Sequence, residues 1–182
     1  MGIDRFTVDY TWTLFLDRDG VINQRIFGGY VLNSESFVFE QGALTALKIA
    51  NQRFGKIIVV TNQQCVALSL LSEASLAQIH QDMITKVSST GGRIDAVYAA
   101  IDLKTATPNR RKPNSAMAIE AQFQFPEIDF SKAIMVGDTD SDIRFGKDLG
   151  MKTVLVESKE VTQEVPDYKV NSLLELMNNL CA

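Results

Sequence analysis

The sequence predicts an α/β fold built on a mainly parallel β-sheet that helices cover on both faces. Short runs rich in β-branched residues alternate along the chain with longer helical stretches, which is the order of strand–helix–strand units. The strand-like runs are mostly continuously apolar rather than alternating, as in strands buried on both faces. A glycine also follows three of the helical stretches, where helix C-caps belong, at Gly55, Gly91 and Gly150.

Five strands are predicted from the apolar runs. Each run is four to six residues long, which is too short for a helix, and each is rich in aliphatic or β-branched side chains. The predicted strands are Thr13–Leu16, Lys56–Val60, Ile94–Ala99, Ala133–Val136 and Thr153–Val156.

Helices are predicted between these strands and after the last one. The stretches are longer than the strands and have the spacing of amphipathic helices. The predicted helices are 43–54, 73–90, 114–124, 141–149 and 173–180.

Length and composition describe one globular domain of 182 residues, with 46% apolar and 22% charged residues. The net charge of −4 makes a nucleic acid or a membrane surface an unexpected partner. No apolar run approaches the roughly 20 residues that span a bilayer, and no secretory signal is visible. Because Cys65 and Cys181 make no disulfide framework, we expect a cytoplasmic protein.

Chemically active side chains follow four of the predicted strands. The carboxyl ends of parallel strands meet at one edge of a sheet, where ligands bind in such folds. We therefore expect these side chains to converge. They are Asp17 and Asp19 after the first strand, Thr61 at the end of the second, Lys112 after the third, and Asp138 and Asp142 after the fourth.

Such a set of groups fits phosphoryl transfer. Clustered carboxylates repel one another unless a cation lies between them, and an all-oxygen site suits Mg²⁺. A lysine and a hydroxyl suit the oxygens of a phosphoryl group. Asp17 could attack phosphorus, and Asp19 could protonate the leaving oxygen and then deprotonate water. Taken singly, aspartates at strand ends also serve as helix caps and turn formers.

In this order, the residues resemble the four motifs of the haloacid dehalogenase (HAD) superfamily of phosphohydrolases. Asp17-Arg18-Asp19-Gly20-Val21 is similar to the first motif, Thr61 to the second, Lys112 to the third, and Gly137-Asp138 with Asp142 to the fourth. The resemblance spans residues 14–156. It implies a HAD-like, Rossmann-type three-layer sandwich, a Mg²⁺ cofactor and a phosphatase that uses an aspartyl-phosphate intermediate.

A narrower resemblance is to the histidinol-phosphatase and D-glycero-D-manno-heptose 1,7-bisphosphate phosphatase group. It rests on the stretches 15–23, 29–31, 61–63 and 111–113. It implies a small anionic phosphorylated substrate, which is a sugar bisphosphate of the heptose type or, as the alternative, histidinol phosphate. The resemblance implies that Asp17 is the nucleophile and Asp19 the general acid/base. It implies that the metal ligands are Asp17, Asp19 and Asp138, with Asp142 in support. The residues implied to bind the phosphate or the rest of the substrate are Thr61, Asn62, Arg111 and Lys112.

The chain departs from that group in two segments. Members that bind zinc carry cysteine and histidine just before Arg-Lys-Pro, whereas Ile101–Arg110 contains neither, so we expect no zinc. Relatives usually have a glycine and an arginine soon after Thr-Asn-Gln, and Gln64–Ser69 lacks both. In relatives those residues help to shape the substrate mouth.

We expect one capless domain over residues 1–182. Asp17 and Thr61 are 44 positions apart, and Thr61 and Lys112 are 51 apart, so neither spacing holds a further domain. Short loops must then exclude water from the site. The candidate loops are 27–30, which has two glycines and two aromatics, and 104–111, which is basic.

Other functions and assignments stay open at this stage. A response-regulator receiver has similar groups, but the third predicted strand here has no acid at its tip. A non-catalytic HAD-fold binding module usually lacks Asp17 or Asp19, and a nucleic-acid 3′-end phosphatase is disfavoured by the net charge. We expect a monomer or small homo-oligomer.

His80 lies beside an apolar helical stripe. We expect it to occupy a packing or surface position far from the strand ends.

Overall fold

The computed structural model describes residues 7–180, so Cys181 lies outside the described residues. From β1 to β5 strands and helices alternate, as the apolar pattern predicts. The strands are β1 (Thr13–Leu16), β2 (Lys56–Asn62), β3 (Ala96–Ala100), β4 (Ala133–Gly137), β5 (Lys152–Val156) and β6 (Tyr168–Val170). The helices are α1 (Ala43–Asn51), α2 (Glu73–Ser89), α3 (Ala116–Gln124), α4 (Asp140–Asp148) and α5 (Leu173–Asn179).

The strands form one sheet in the order β3-β2-β1-β4-β5-β6, and every neighbouring pair is parallel. The chain leaves β1 toward β2 and β3, then returns to the other side of β1 with β4. Leu16 at the end of β1 is therefore level with Val59 of β2 and Val136 of β4. A parallel sheet binds ligands where its strand order reverses, which here is the carboxyl end of β1.

Both faces of the sheet are covered, which confirms the predicted three-layer α/β fold. Side chains alternate along β1, so Leu14 and Leu16 share a core with residues of α1, α2 and α5. Phe15, between them, shares the opposite core with residues of α3 and α4. Burial on both faces explains why β1 is continuously apolar.

Most predicted elements differ from the structure by one to three residues at one or both ends. For example, β3 begins at Ala96 rather than Ile94, and α3 begins at Ala116 rather than Asn114. β2 continues to Asn62, two residues beyond its apolar run, because its main chain still pairs with β3. Helix α1 ends at Asn51 rather than Phe54. The short edge strand β6 was not predicted, since Tyr168–Val170 is too short for a periodic pattern. Among the described residues, no helix is long and apolar enough to cross a bilayer.

Candidate active site

Three buried carboxylates and one buried lysine meet at the carboxyl end of β1. Oxygens of Asp17, Asp138 and Asp142 lie within 4.8 Å of one another. Nζ of Lys112 lies 2.9 Å from Oδ1 of Asp17 and 2.6 Å from Oδ1 of Asp142. It also donates to the carbonyl of Val60 at 2.6 Å, so three oxygens surround the ammonium. Residues far apart in sequence thus converge as their strand ends predict.

Two glycines allow these groups to approach so closely. Gly20 has φ +93°, and a Cβ on it would lie 2.3 Å from Oδ2 of Asp138. A Cβ on Gly137 would lie 2.1 Å from Cβ of Asp142. Any side chain at either position would displace a carboxylate, which gives a physical reason for glycine in the first and fourth motifs.

The Arg25 guanidinium lies where the oxygens converge. Its Nη2 is 2.6 Å from Oδ1 of Asp138, 3.2 Å from the carbonyl oxygen of Asp19 and 3.8 Å from Oδ2 of Asp17. Nη2 of Arg25 thus lies among two carboxylates, those of Asp17 and Asp138, and the main-chain carbonyl of Asp19. Such an all-oxygen donor set suits a hard divalent cation, so the residues fit a metal ion.

Burial and like charge perturb these acids. Burial raises the pKa of Asp17 to about 7; the Lys112 ammonium opposes this rise, and the Asp142 and Asp138 carboxylates contribute to it. Burial likewise raises the pKa of Asp138 to about 6, although Arg25 lowers it. Burial opposes the charged form of Lys112, yet the Asp142 and Asp17 carboxylates raise its pKa overall. Groups perturbed in this way cluster at functional sites.

The carboxylate of Asp19 belongs to a separate network beside this cluster. Its two oxygens accept from Nη2 of Arg18 at 3.0 Å each, from Asn23 at 2.9 Å and from Gln63 at 2.7 Å. Burial would raise the pKa of Asp19, but the Arg18 charge and these hydrogen bonds lower it overall. Three side chains thus hold the Asp19 carboxyl group in place, and its main-chain carbonyl accepts from Nη2 of Arg25 at 3.2 Å.

The remaining predicted residues line the cavity or support it. Thr61 lines the cavity, and its hydroxyl accepts from the side-chain amide of Gln63 at 2.8 Å. Asn62 also lines it and pins the main chain of Lys112, accepting from its N–H at 2.9 Å and donating to its carbonyl at 3.3 Å. Arg111 lines the cavity and donates to the carbonyl of Asp102.

A cavity of about 710 Å³ opens above the cluster, and both predicted loops, 27–30 and 104–111, contribute to its wall. Gln64 links them, since its side chain donates to the Tyr30 hydroxyl at 2.7 Å and accepts from the Lys104 N–H at 3.2 Å. Arg110 instead pairs with Glu120. The cations that line the cavity are Arg25, Lys104, Arg111, Lys112 and Arg144.

Sequence reasoning assigned no role to Arg25 or Gln63. Arg25 lies in a loop without periodicity, so nothing in the sequence indicates that its side chain folds back onto Asp138. Gln63 follows Thr61 and Asn62 directly, and its contact with Asp19 arises only when β1 and β2 are neighbours. The pairing of β1 with β2 could have suggested a role for Gln63, but nothing in the sequence could have suggested one for Arg25.

Comparison with known proteins supports the motif assignment. Residues 109–176 match a family model described as HAD-hydrolase-like. The chain is 35% identical over 134 residues to a D-glycero-alpha-D-manno-heptose-1,7-bisphosphate 7-phosphatase of Mycobacterium tuberculosis, covering 74% of this chain and 70% of the relative. It is 30% identical over 175 residues to the D-glycero-beta-D-manno-heptose-1,7-bisphosphate 7-phosphatase of Salmonella typhi, covering 90% and 92%.

The fold agrees with a solved structure of a D,D-heptose 1,7-bisphosphate phosphatase from B. bronchiseptica, complexed with magnesium and phosphate. The TM-score is 0.83 at 23% identity, over 93% of this chain and 98% of the other. The relatives and the fold thus agree with the resemblance to HAD-type phosphatases. The chain belongs to the heptose-1,7-bisphosphate 7-phosphatase family of HAD-type phosphoric monoester hydrolases.

Proposed function

We propose that this chain is a Mg²⁺-dependent phosphatase that removes one phosphate from a sugar bisphosphate of the heptose type. The observation that carries the proposal is the convergence of Asp17, Asp138, Asp142 and Lys112 at the end of β1. A nucleophilic carboxylate, further acids for a cation and a buried ammonium are the groups that aspartyl-phosphate chemistry requires. The relatives named for heptose bisphosphate support the substrate class.

In the proposed reaction, an oxygen of Asp17 attacks phosphorus while the bond from phosphorus to the leaving oxygen breaks. The negative charge of the bound phosphate opposes the ionised form of Asp19, so Asp19 takes up a proton when substrate binds. It gives this proton to the leaving oxygen, and the sugar leaves as an alcohol. Asp19 then takes a proton from water, which attacks the aspartyl-phosphate and releases inorganic phosphate and the free Asp17 carboxylate. The positions of Lys112 and Thr61 suit contacts with the phosphoryl oxygens throughout.

Asp17, Asp138 and the carbonyl of Asp19 are the groups proposed to hold Mg²⁺. When bound, the ion would neutralise charge on the phosphoryl oxygens and on the two carboxylates. Asp142 supports the site through its ion pair with Lys112 and its acceptance of two hydrogen bonds from Thr139, at 3.1 Å from N–H and 2.6 Å from the hydroxyl.

The cavity suits a small anion with two phosphates. Its volume of about 710 Å³ lies within the usual range for small-molecule sites. Arg111 and Lys104 add positive charge to the wall beyond Lys112, where a second phosphate could bind. We infer a single capless domain, with the linked loops 27–30 and 104–111 excluding water.

The test is a panel of phosphate esters assayed for phosphate release with Mg²⁺. The panel contains both anomers of D-glycero-D-manno-heptose 1,7-bisphosphate, histidinol phosphate, hexose phosphates, nucleotides and a 3′-phosphorylated oligonucleotide. We expect the highest kcat/KM with a heptose bisphosphate. Preference for histidinol phosphate or the oligonucleotide would replace the substrate assignment, and absence of turnover on every ester would refute the proposed activity.

The nucleophile is tested with Asp17→Asn. We expect phosphate release to disappear while the circular dichroism spectrum and cooperative unfolding are retained. The matched variant is Asp140→Asn, because Asp140 also lines the cavity but accepts from the main chain of Gln163 and Glu164. A folded Asp17→Asn variant with normal turnover would refute the assignment.

A further inference from the structure

His80 contacts the network around Asp19, although the sequence placed it far from the strand ends. That expectation is wrong, because Nε2 of His80 lies 3.1 Å from Nη1 of Arg18, next to Asp17 in the chain. Burial, together with the Arg18 charge, lowers the pKa of His80 to about 4, so the imidazole is neutral near pH 7. A neutral imidazole facing an N–H donor accepts through Nε2 and carries its own proton on Nδ1.

Arg18 is the largest fully buried side chain of the described core, with no exposed surface. Its guanidinium carbon lies 5.8 Å from the centre of the Phe37 ring, one amino group faces His80, and the other faces both oxygens of Asp19. A buried guanidinium is costly unless its donors are matched, and apolar residues usually fill such volumes at lower cost. Its occurrence between the two motif aspartates therefore requires a reason other than packing.

Asp19 is held from three directions by this arrangement. Oδ1 accepts from Arg18 and Asn23, and Oδ2 accepts from Arg18 and Gln63. Asn23 and Gln63 each contact one oxygen, whereas Arg18 alone contacts both. The orientation of the Asp19 carboxylate thus depends on the orientation of Arg18, and among the described contacts His80 is the side chain that accepts from the other end of its guanidinium.

We propose that His80 is a positioning residue that acts through Arg18 to aim the Asp19 carboxyl at the leaving oxygen of the substrate. This inference rests on the proposed role of Asp19 as proton donor to that oxygen. A proton donor displaced by a fraction of an ångström protonates the leaving group less efficiently. His80 does not touch the reacting atoms and is therefore not a catalytic residue.

The experiment separates proton donation from general damage by changing the leaving group. p-Nitrophenol leaves readily as an anion, whereas the alcohol of a heptose phosphate needs the proton. The variants are His80→Leu, which removes the acceptor, and His80→Gln, which restores one. The readout is the rate of leaving-group release in a single turnover with excess enzyme, because kcat also contains the later step in which Asp19 takes a proton from water. We expect His80→Leu to lower this rate about tenfold on heptose 1,7-bisphosphate and less than about twofold on p-nitrophenyl phosphate.

His80→Gln should recover most of the loss on the heptose substrate. Arg18→Lys keeps the charge but loses the planar fork, so it should give the same leaving-group split and provides a second route if His80→Leu fails to fold. Met83→Leu, a volume-conserving change at a buried position on the same helix, should leave the ratio of the two single-turnover rates unchanged.

Asp19→Asn distinguishes the two possible failures. If Asp19→Asn shows the split but neither His80→Leu nor Arg18→Lys does, the positioning role is refuted and the proposed function stands. An equal loss on both substrates in the His80 and Arg18 variants also overturns the inference, because it is what structural damage produces. If Asp19→Asn itself shows no split, the proposed role of Asp19 fails and the inference fails with it.

Discussion

Nη2 of Arg25 lies 2.6 Å from Oδ1 of Asp138, and Nε of the same guanidinium donates to Oδ2 of Asp138 at 2.8 Å. This is a two-point ion pair between a fully buried carboxylate and an arginine with a quarter of its side chain exposed. The same Nη2 faces Asp17 and the Asp19 carbonyl. Arg25 thus supplies the positive charge that the carboxylate cluster needs, at the position proposed for Mg²⁺.

Arg25→Gln should bind Mg²⁺ more tightly than the wild type, because the ion no longer has to displace a charged partner. Charge-assisted hydrogen bonds contribute about 1.5–3 kcal/mol, so we expect the Kd to fall by about tenfold or more. Isothermal titration calorimetry with MgCl₂ measures this without any substrate. The metal-free variant should also unfold at a lower temperature than the wild type, since Asp138 loses its partner.

Arg144→Gln is the matched control for this prediction. Arg144 lines the same cavity and carries the same charge, but it pairs with Glu164 at 2.8 Å. Its loss removes one positive charge from the cavity wall but leaves the ion pair between Arg25 and Asp138 intact. A Kd for Mg²⁺ that is unchanged in Arg25→Gln, or lowered equally in Arg144→Gln, would show that Arg25 does not compete with the ion.

The site illustrates what strand-end reasoning can and cannot predict. Asp17 and Asp138 were predictable because parallel strands bring their carboxyl ends to one edge. Lys112 follows β3 only after a loop, so its assignment rested on the motif resemblance rather than on the strand end. Arg25 was not, because its position depends on a loop path from Asn23 that no periodic pattern describes. His80 was misplaced because its helix was assigned to packing alone, and its contact with Arg18 depends on how α2 lies against β1.

The same distinction applies to the fold. The buried strands β1 and β4 were predicted nearly to the residue, because burial on both faces imposes a continuous apolar run. The edge strand β6 has one buried residue in three, so its sequence carries little signal, and it forms only because β5 offers an unpaired edge. A strand is therefore easier to predict from the sequence when both of its faces are buried.

Lys112→Met should destabilise the protein strongly. Lys112 is buried between Asp17 and Asp142, and its removal leaves two buried carboxylates without their shared partner. Breaking a buried ion pair from one side costs about 3–5 kcal/mol, which we expect in urea unfolding of the metal-free protein. Lys132→Met, at an exposed position, should change stability by less than about 0.5 kcal/mol. Equal effects in the two variants would contradict the buried-pair interpretation.

Gln64→Ala should raise KM for the heptose substrate and change kcat little. Gln64 joins Tyr30 to Lys104, so its loss uncouples the two loops that form the cavity mouth but leaves Asp17 and Lys112 in place. The two hydrogen bonds together stabilise the closed arrangement of the loops by about 1 kcal/mol, so we expect their loss to raise KM severalfold. Gln78→Ala, which removes an exposed contact with Asp82, is the control. A fall in kcat at constant KM would assign Gln64 to the chemistry instead.

His80 should make the wild type less stable as the pH falls through the range from about 6.5 to about 4. Its pKa is lowered to about 4 in the folded chain by burial and by the Arg18 charge, while Asp19 acts in the opposite direction. Between these values the unfolded chain binds a proton that the folded chain does not, so stability increases with pH there and is lost as pH decreases.

The measurement is the difference in unfolding free energy between the wild type and His80→Gln, taken from urea titrations at several pH values. Because both proteins share every other titrating group, including Asp17 and Asp138, the difference isolates His80. We expect the wild type to lose stability relative to the variant below pH 6.5, with a limiting slope of about 1.4 kcal/mol per pH unit. A difference that stays constant from pH 4 to pH 7 would mean that the imidazole is not held neutral by Arg18 and burial.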